Sequence, residues 1–399
     1  MKSEWIKKKL SDIADFNPRE TIKKGAIAKK IPMDILRPFY RDIPYYVEEC
    51  FSGGTKFRNG DTIMARITPC LENGKTAQVS ILNDGEVGFG STEYIVFRAK
   101  EGIANKDYLY YLVCSPEVRE PAIKSMVGSS GRQRVQTDVV KNLEIDVPPL
   151  VDQEKIGSFL KSFDDKIALN DKINKNLEQQ AQAIFKSWFI DFHPFGGNRP
   201  IDWVTGIVDD LGAEIICGKT PSTKRKEYYG GNTPFITIPD MHGYVYNVST
   251  ERYLSAAGVA SQPKKTLPPN TVCVSCIGTA GLVTLVSEKS QSNQQINAIV
   301  PKEGISVYYI YLLMQTLSET INKLGQSGST IVNLNKTQFA KIPVTIPSEQ
   351  VLCNFDTLCK PLFEMILSNQ KENIRLTNLR DTLLPKLMSG ELDVSDIDI

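Results

Sequence analysis

The chain has 399 residues, a formal net charge of +1, 41% hydrophobic residues and 23% charged residues. This composition is typical of a globular protein and argues against a disordered chain. No apolar run approaches the roughly 18 residues of a membrane span, and no apolar segment follows the charged start MKSEWIKKKL, which argues against a secretion signal. At roughly 100–200 residues per domain, the length predicts two or three domains. The eight cysteines show no disulfide-like density, so we expect a protein of the reducing cytoplasm.

The first 200 residues predict short strands followed by helices. Runs of β-branched and aromatic residues broken by Gly, Pro and Asn predict strands at DTIMARI (61–67), TAQVSIL (76–82) and EYIVFRA (93–99). A single helix-like segment follows at 106–126, and then a Gly/Ser loop, GSSGRQR (128–134). A short strand ends at a double proline, and a long helical pattern begins after it.

The same order of elements returns in the second half. Strand-like runs PFITIPD, TVCVSCI, LVTLVS and NAIVP precede a helix-like segment at 307–324 and a Gly/Ser loop, GQSGSTIV. Four pairs of segments match at offsets of 197 to 202 residues: Trp5 with Trp203, 91–102 with 293–304, 128–135 with 325–332, and 142–149 with 341–348. Self-similarity at a constant offset indicates a repeat architecture. The chain is therefore predicted to be a tandem duplication.

Each half ends in a long helix with apolar residues spaced alternately by three and four, which is the coiled-coil repeat. Both patterns carry two asparagines near the middle, a feature that sets register. Pro361 and Pro385 predict a late start or a kink in the second helix. The alternative is two amphipathic helices that each pack on their own domain. The predicted interface residues are Ile156, Leu160, Phe163, Ile167, Leu177, Ile184, Trp188, Leu362, Ile366, Leu376, Leu383 and Leu387.

The order of domain, helix, domain, helix has a physical consequence. The second helix can lie on the first only if it runs antiparallel, and we expect a pseudo-twofold molecule with one domain at each end of the helix pair. Two domains of about 150 residues have centres at least ~35 Å apart, from a radius of gyration near 15 Å. One turn of B-DNA is ~34–36 Å. Two mildly basic domains at this distance could read two different half-sites.

The motif A-x-x-x-x-G-K-T at 213–220 matches the loose form of a nucleotide-binding loop. Such a loop needs a helix behind it, whereas Pro221 follows at once and 222–231 has no apolar periodicity. The sequence therefore favours DNA phosphate contacts by basic and hydroxyl side chains, against the alternative of a solvated loop. The candidate residues are Lys219, Thr220, Ser222, Thr223, Lys224, Arg225 and Lys226.

The two Gly/Ser loops are candidates for base contacts, because Arg bonds guanine and Gln bonds adenine in the major groove. The alternative is that they are ordinary loops without a function. The candidate residues are Arg132, Gln133 and Arg134 in the first loop and Gln326, Ser327, Ser329 and Thr330 in the second.

No catalytic, metal or cofactor site is predicted. His193 and His242 are the only histidines, and neither has a plausible catalytic partner by spacing. Cys273 and Cys276 form a lone C-x-x-C in a strand-like context, which favours buried free thiols over a metal site.

Three segments resemble the DNA-specificity subunits of type I restriction-modification systems: GKTPSTKRKEYYGGNTPFITIPDM (218–241), NLEIDVPPLVDQEKIGSFL (142–160) and LRDTLLPKLMSGEL (379–392). The resemblance spans the whole chain. It implies that each globular region is a target-recognition domain and that the helices space the domains and dock two methyltransferase subunits. It implies no catalysis by this chain, since the partners methylate adenine and translocate and cleave DNA. The first half has DFNPRETIKKGA (15–26) in place of the TPST stretch, so the resemblance does not identify its recognition loop, and TIPSEQVLCNF at the second junction lacks the double proline.

We therefore predict an α+β tandem duplication with two target-recognition domains on two long antiparallel coiled-coil helices. The predicted parts are 1–150 and 196–348 as recognition domains, 151–195 as the central helix, and 349–399 as the distal helix and tail. The predicted partners are double-stranded DNA, two methyltransferase subunits and, through them, restriction subunits, with no membrane association. The alternatives are a stand-alone DNA-binding regulator or adaptor and, third, an ATPase or nuclease.

Overall fold

The computed structural model describes residues 5–129, 131–326 and 332–393. The chain forms two compact units, one made of residues 1–169 and 375–399 and the other of residues 170–374. Each unit contains one domain of strands and short helices together with a part of each of two long helices.

The first unit is built on two four-stranded sheets and a two-stranded pair. The orders are β2-β9-β6-β7 and β4-β3-β8-β5, and β1 pairs with β10. The bounds are β1 (Ile6–Lys9), β2 (Ala14–Phe16), β3 (Ile27–Ile31), β4 (Val47–Cys50), β5 (Thr55–Phe57), β6 (Thr62–Ala65), β7 (Thr76–Gln78), β8 (Gly88–Gly90), β9 (Tyr94–Ala99) and β10 (Glu144–Val147). Strand β6 is buried along its whole length. Its apolar run therefore indicates a central strand covered on both faces.

The short helices of this unit are α1 (Leu10–Ile13), α2 (Lys106–Cys114), α3 (Pro116–Lys124) and α4 (Thr137–Lys141). The single helix predicted over 106–126 is therefore wrong. It is two helices, because Ser115 precedes Pro116 and is extended, with φ −68° and ψ 159°. A residue before proline is disfavoured in the helical region.

The second unit repeats this topology. Its sheets have the orders β12-β20-β17-β18-β14 and β15-β13-β19-β16, and β11 pairs with β21. Strands β3 and β8 are parallel in the first unit, and the corresponding β13 and β19 are parallel here. The bounds are β11 (Val204–Ile207), β12 (Gly212–Cys217), β13 (Tyr229–Ile236), β14 (Tyr246–Asn247), β15 (Arg252–Leu254), β16 (Thr266–Leu267), β17 (Val272–Ser275), β18 (Val283–Val286), β19 (Ser290–Ser292), β20 (Ile296–Pro301) and β21 (Pro343–Ile346). The predicted α+β tandem duplication is confirmed.

The helical segment predicted at 307–324 is also divided, at Leu317. The helices of this unit's domain are α6 (Val208–Leu211), α7 (Ala256–Ala260), α8 (Val307–Thr316), α9 (Ser318–Gly325) and α10 (Lys336–Ala340), with 3₁₀ turns at Lys226–Tyr228, Ile238–Met241 and Pro263–Lys265. A further 3₁₀ turn, His193–Phe195, lies between the first long helix and β11.

The two long helices have equal length. Helix α5 runs from Leu150 to Phe189 and α11 from Glu349 to Met388, 40 residues each. At 1.5 Å per residue each is about 60 Å long. The late start predicted from Pro361 and Pro385 is wrong, since α11 begins before both. None of the helices in the described parts of the chain is long and apolar enough to cross a membrane.

Asparagines join the two long helices inside the second unit. The Asn170 amide donates to Asn373 at 2.8 Å, and the Asn369 amide donates to Asn174 at 2.9 Å. The Asn373 amide also donates to Asp171 at 3.0 Å. Since the partner's number falls as the residue number on α5 rises, these segments of the two helices are antiparallel. The predicted polar positions therefore face each other, where they hold the register.

The buried seam of α11 departs from the prediction after Cys359. Phe363 and Leu384 are buried, whereas Leu362, Leu376 and Leu383 are half-buried. Ile366 and Leu387 are buried as predicted. On α5, Ile156, Leu160 and Ile167 are buried, and Phe163, Leu177, Ile184 and Trp188 are half-buried. Two adjacent apolar residues satisfy a repeat of three and four equally well, so the pattern alone misplaced the seam by one residue.

The long helices also pack on the domains. Ile156, Leu160, Leu384 and Leu387 belong to the core of the first unit, and Phe185 and Phe355 to that of the second. Gly157 permits this approach, because a Cβ there would lie 2.7 Å from the backbone nitrogen of Tyr108. The long helices therefore pack on each other and also on the domains.

Candidate DNA interface

The TPST loop of the second domain, residues 218–228, connects β12 to β13. Neutral groups hold it in place. The Lys219 backbone nitrogen donates to Ser292 at 2.8 Å, and the Gln262 amide donates to the Lys219 carbonyl at 2.6 Å. The Thr220 hydroxyl donates to Gln294 at 2.7 Å, and the Tyr229 hydroxyl donates to the Pro221 carbonyl at 2.7 Å. The start of the loop is therefore fastened to the β19–β20 connection.

This loop lacks the architecture of a phosphate-binding nucleotide loop. The loop ends in a 3₁₀ turn at Lys226–Tyr228 and strand β13 follows it, so no α-helix begins behind Thr220. Gly218 is instead needed because the loop backbone lies close to the β19–β20 connection, where a Cβ would lie 2.1 Å from the Asn293 carbonyl oxygen. Without a helix N-terminus, the loop has no helix dipole with which to bind nucleotide phosphate.

The charged side chains of the TPST loop face solvent. Lys219, Lys224, Arg225 and Lys226 are all exposed. None of the four has an ion-pair partner among the residues that the structure describes. Arg225 lies over the Tyr228 ring at 5.4 Å and donates to its hydroxyl at 2.8 Å. Ser222 and Thr223 are also exposed, while Thr220 is half-buried against Gln294. The loop thus presents uncompensated positive charge, as a surface that contacts phosphates requires.

The first Gly/Ser loop is fastened by a charged pair. Arg134 makes an isolated bridge with Ile67, just after β6, and another with Val127. Its guanidinium donates to Glu93 at 2.7 Å through Nη2 and at 3.0 Å through Nε. These hydrogen bonds from Arg134, more than the opposing burial, lower the pKa of Glu93. Arg132 is exposed and Gln133 half-buried. The charge of Arg134 is largely compensated by Glu93, whereas Arg132 has no ion-pair partner in the parts of the chain that the structure describes.

The second Gly/Ser loop occupies the equivalent place. Asn333 bridges Ile277, just after β17, and the Gly278 nitrogen donates to the Val332 carbonyl at 2.9 Å. Gln326 is exposed and ends the helical segment of α9. Ser327, Ser329 and Thr330 lie outside the described residues.

Two glutamines that the sequence did not single out connect these loops. Gln294 is exposed and accepts from Thr220 of the TPST loop, and the Gln295 amide donates to the Ile277 carbonyl at 3.5 Å. The β19–β20 connection therefore contacts the TPST loop through Gln294 and, through Gln295, the segment after β17 on which the Gly/Ser loop lies. The matching connection of the first domain carries Glu93, which orients Arg134. The alignment of 91–102 with 293–304 already placed Glu93 opposite Gln295, and only the contacts gave the pair a role.

The structure also locates the first domain's counterpart of the TPST loop. Residues 17–26 join β2 to β3, just as 218–228 join the corresponding β12 to β13. No sequence similarity connects the two loops. Their equivalence follows from the order of the strands alone.

Cysteines and acids do not form a metal site in the described parts of the chain, where no group of three or more His, Cys, Asp or Glu could hold an ion. Cys273 and Cys276 are buried and unpaired, as their strand-like context predicted. Burial raises the pKa of both thiols to about 12, so they are protonated at neutral pH.

Comparison with known proteins agrees with this geometry. Residues 2–179 and 200–354 both match the type I restriction modification DNA specificity domain. The specificity subunit of the type I restriction enzyme HindI from Haemophilus influenzae is 33% identical, with 84% of this chain and 87% of that protein covered. The MjaIX specificity subunit from Methanocaldococcus jannaschii is 27% identical, with 75% and 71% covered.

Among solved structures, the S subunit of a type I restriction-modification system from M. genitalium shares the fold, with a TM-score of 0.58, 16% sequence identity and 96% of each chain covered. The two matched segments fall on the two copies of the two-sheet domain, the first together with most of α5 and the second with only the start of α11. This chain therefore belongs to the family of type I restriction-modification DNA specificity proteins.

Proposed function

We propose that this chain is the DNA-recognition subunit of a type I restriction-modification complex and that each of its domains reads one half of a two-part asymmetric site. One observation carries the proposal: the same two-sheet topology occurs twice, with different side chains on the loops at equivalent places. Like other specificity subunits, the chain is not itself an enzyme, and catalysis belongs to the partner subunits.

The proposed contacts divide into two kinds. Lys219, Lys224, Arg225 and Lys226 contact the DNA backbone, assisted by the hydroxyls of Thr220, Ser222 and Thr223. Arg132, Gln133, Arg134 and Gln326 are candidates for base edges, together with Ser327, Ser329 and Thr330. We add Gln294, because an exposed glutamine held in place by Thr220 of the TPST loop is suited to bond adenine.

We further propose that the long helices bind two methyltransferase subunits, and restriction subunits through them. Support comes from apolar side chains that stay exposed on the helices: Leu169 and Ile173 on α5, and Leu358 and Met365 on α11. Exposed apolar side chains of this kind mark protein interfaces when they lie together. The working division of the chain is 1–150, 151–195, 196–348 and 349–399, and the proposed site of action is the cytoplasm.

The test is co-expression with the methyltransferase subunit of its system in a host that lacks adenine methylation, followed by sequencing of methylated adenines. A single motif with two defined halves and an undefined gap is expected, and it should disappear without this chain. Methylation that persists without the chain would contradict the proposal. Specific DNA binding without retention of the methyltransferase on size exclusion would favour a stand-alone regulator instead.

A further inference from the structure

The first domain has a loop whose role no sequence motif discloses. Residues 17–26 connect β2 to β3 and correspond in topology to the TPST loop. Three basic side chains on it, Arg19, Lys23 and Lys24, are exposed. None of the three has an ion-pair partner among residues 5–129, 131–326 and 332–393. The loop therefore carries the same kind of uncompensated charge as its counterpart.

A buried acid holds this loop to the sheet. Glu20 is 5% exposed, and each of its carboxylate oxygens accepts from a different arginine: Arg98 Nη1 at 2.7 Å and Arg58 Nη2 at 2.7 Å. Arg98, on β9, also binds both oxygens of Asp61 at 2.7 Å, and Asp61 is 2% exposed. We call this set of Glu20, Arg58, Asp61 and Arg98 the arginine clamp.

The arginine clamp gives the loop a defined position. Bidentate pairing of arginine with a carboxylate is directional as well as strong. Although burial opposes it, hydrogen bonds from Arg98 and Arg58 keep the pKa of Glu20 below its usual value, so Glu20 is charged at neutral pH. At the loop's N-terminal end, Asn17 accepts from the Val96 backbone at 2.9 Å and its nitrogen donates to the Val96 carbonyl at 2.8 Å. At the C-terminal end, the Gly25 nitrogen donates to the Phe51 carbonyl at 2.9 Å. The loop is thus fastened at both ends and at Glu20, with its basic residues outside.

We infer that residues 17–26 are the DNA-backbone contact loop of the first domain, with Arg19, Lys23 and Lys24 binding phosphates and Glu20 acting as the residue that positions them. This inference rests on the proposed function. DNA is the occupant that fits, because the loop has exposed positive charge, a set geometry and a counterpart in the same place of the duplicated domain.

The first experiment measures phosphate contacts. The assembled complex of the full chain with its methyltransferase subunit is assayed for affinity against salt, on a cognate duplex selected from a random library and on an unrelated duplex. Each phosphate contact adds about 0.9 to the slope of log affinity against log salt. Replacing Arg19, Lys23 and Lys24 by alanine should therefore flatten the slope by ~2–3 units on the cognate duplex. A control with the same charge loss on the same domain, Lys7→Ala, Lys8→Ala and Lys124→Ala, should change it by less than ~1 unit.

The second experiment separates positioning from simple charge. Glu20→Gln removes a negative charge near DNA, and Glu20→Asp keeps the charge but shortens the side chain. If Glu20 positions the loop, both variants should lose about tenfold or more in cognate affinity, the scale of a lost charge-assisted hydrogen bond. Because phosphate contacts do not depend on sequence, affinity for unrelated DNA should fall as well. Glu120→Gln is the control, because it also removes one negative charge but breaks only an exposed ion pair with Lys124.

Thermal unfolding of each variant shows whether it is still folded. If the Glu20 variants are unfolded, the salt slope of the Arg19, Lys23 and Lys24 alanine variant tests the inference alone. An unchanged salt slope for that variant, or a Glu20→Gln variant that behaves like Glu120→Gln on both duplexes, would overturn the inference while leaving the proposed function intact. A wild-type complex without preference for any duplex would overturn both.

Discussion

The loop after β2 in the first unit is held by ions, and the equivalent loop after β12 in the second unit is held by neutral groups. Glu20, Arg58, Asp61 and Arg98 fasten residues 17–26. Hydroxyls and amides, those of Thr220, Tyr229 and Gln262 among them, fasten residues 218–228. The strands that the two units share have the same order, although β14 adds a fifth strand to one sheet of the second unit. The fold therefore sets where the loop lies and leaves open how it is fastened.

The helix pair shows the same divergence. In the first unit, the Tyr111 hydroxyl donates to Asp164 at 2.5 Å, and Asp164 also pairs with Arg380. In the second unit, Tyr311 packs on the Phe363 ring at 5.4 Å and donates to Glu178 at 2.9 Å. A duplicated backbone has therefore accepted a buried ion pair in one copy and a buried ring in the other, which makes the two copies differ in their response to mutation, salt and acid.

The largest expected effect comes from exchanging one domain. Replacing residues 196–348 by the corresponding domain of another specificity subunit should change one half of the methylated motif completely and leave the other half unchanged, because the two units have separate cores. Sequencing of methylated adenines measures this. A motif altered in both halves would show that the domains do not read independently.

Breaking the buried pair of the first unit should have the next largest effect. Asp164 and Arg380 have side chains 5% and 8% exposed, and burial raises the pKa of Asp164 against the opposing charge of Arg380. Asp164→Ala leaves a buried guanidinium without this partner and should lower the free energy of unfolding of the first unit by about 3–5 kcal/mol.

The matched control replaces both partners, Asp164→Leu with Arg380→Met, and should cost far less because no buried charge is left unpaired. Hydrogen exchange under urea, followed by mass spectrometry, resolves the two units. Equal destabilisation by the single and double variants would show that the unpaired charge of Arg380 is not the cause of the lost stability.

A smaller effect is expected from the TPST loop. Replacing Lys224, Arg225 and Lys226 by alanine should remove about two phosphate contacts and flatten the salt slope by ~1–2 units, equally on cognate and unrelated DNA. Binding titrations of the assembled complex at several salt concentrations test this. A selective loss on the cognate duplex would mean that one of the three reads a base, and an unchanged slope would mean that the loop faces solvent.

The smallest expected effect is that acid destabilises the first unit at a higher pH than the second. Hydrogen bonds from arginine or lysine, opposed by burial, lower the pKa of Glu20, Glu86 and Glu93 from 4.5, and all three lie in the first unit. A carboxyl with a lowered folded pKa stabilises the fold above its unfolded pKa, and this stability is lost as the pH falls below about 4.5.

Pepsin digestion over decreasing pH should therefore cut 17–26 before 218–228. Both loops are exposed to pepsin in the same sample, so the pH dependence of pepsin itself affects the two cleavage rates equally. Glu20→Gln is the control, because it should make the first loop sensitive already at the start of the titration. Simultaneous cleavage in wild type would contradict the difference between the units.

The sequence by itself determined the duplication, the two long helices and the asparagine positions at which they meet. Each of these follows from a periodicity or a repeated order of residues, which is a local property of the chain. Gly/Pro punctuation likewise located some of the strands, β6, β7 and β9 among them, and not β1 to β5 or β8. The breaks of the inner helices at Ser115 and Leu317 were missed, although Pro116 gave a local signal for the first.

Only the tertiary structure decided which of two adjacent apolar residues enters the helix seam and which segment of the first half is the counterpart of the TPST loop. Leu362 and Phe363 both suit a repeat of three and four, and contact with Tyr308 and Tyr311 selects Phe363. Residues 17–26 and 218–228 share no motif, and their equivalence comes from the pairing of strands distant in sequence. The arginine clamp brings Glu20 to Arg98, 78 positions away. Long-range pairings of this kind leave no periodicity in the sequence, since their spacing is set by the fold and not by the local geometry of a helix or strand.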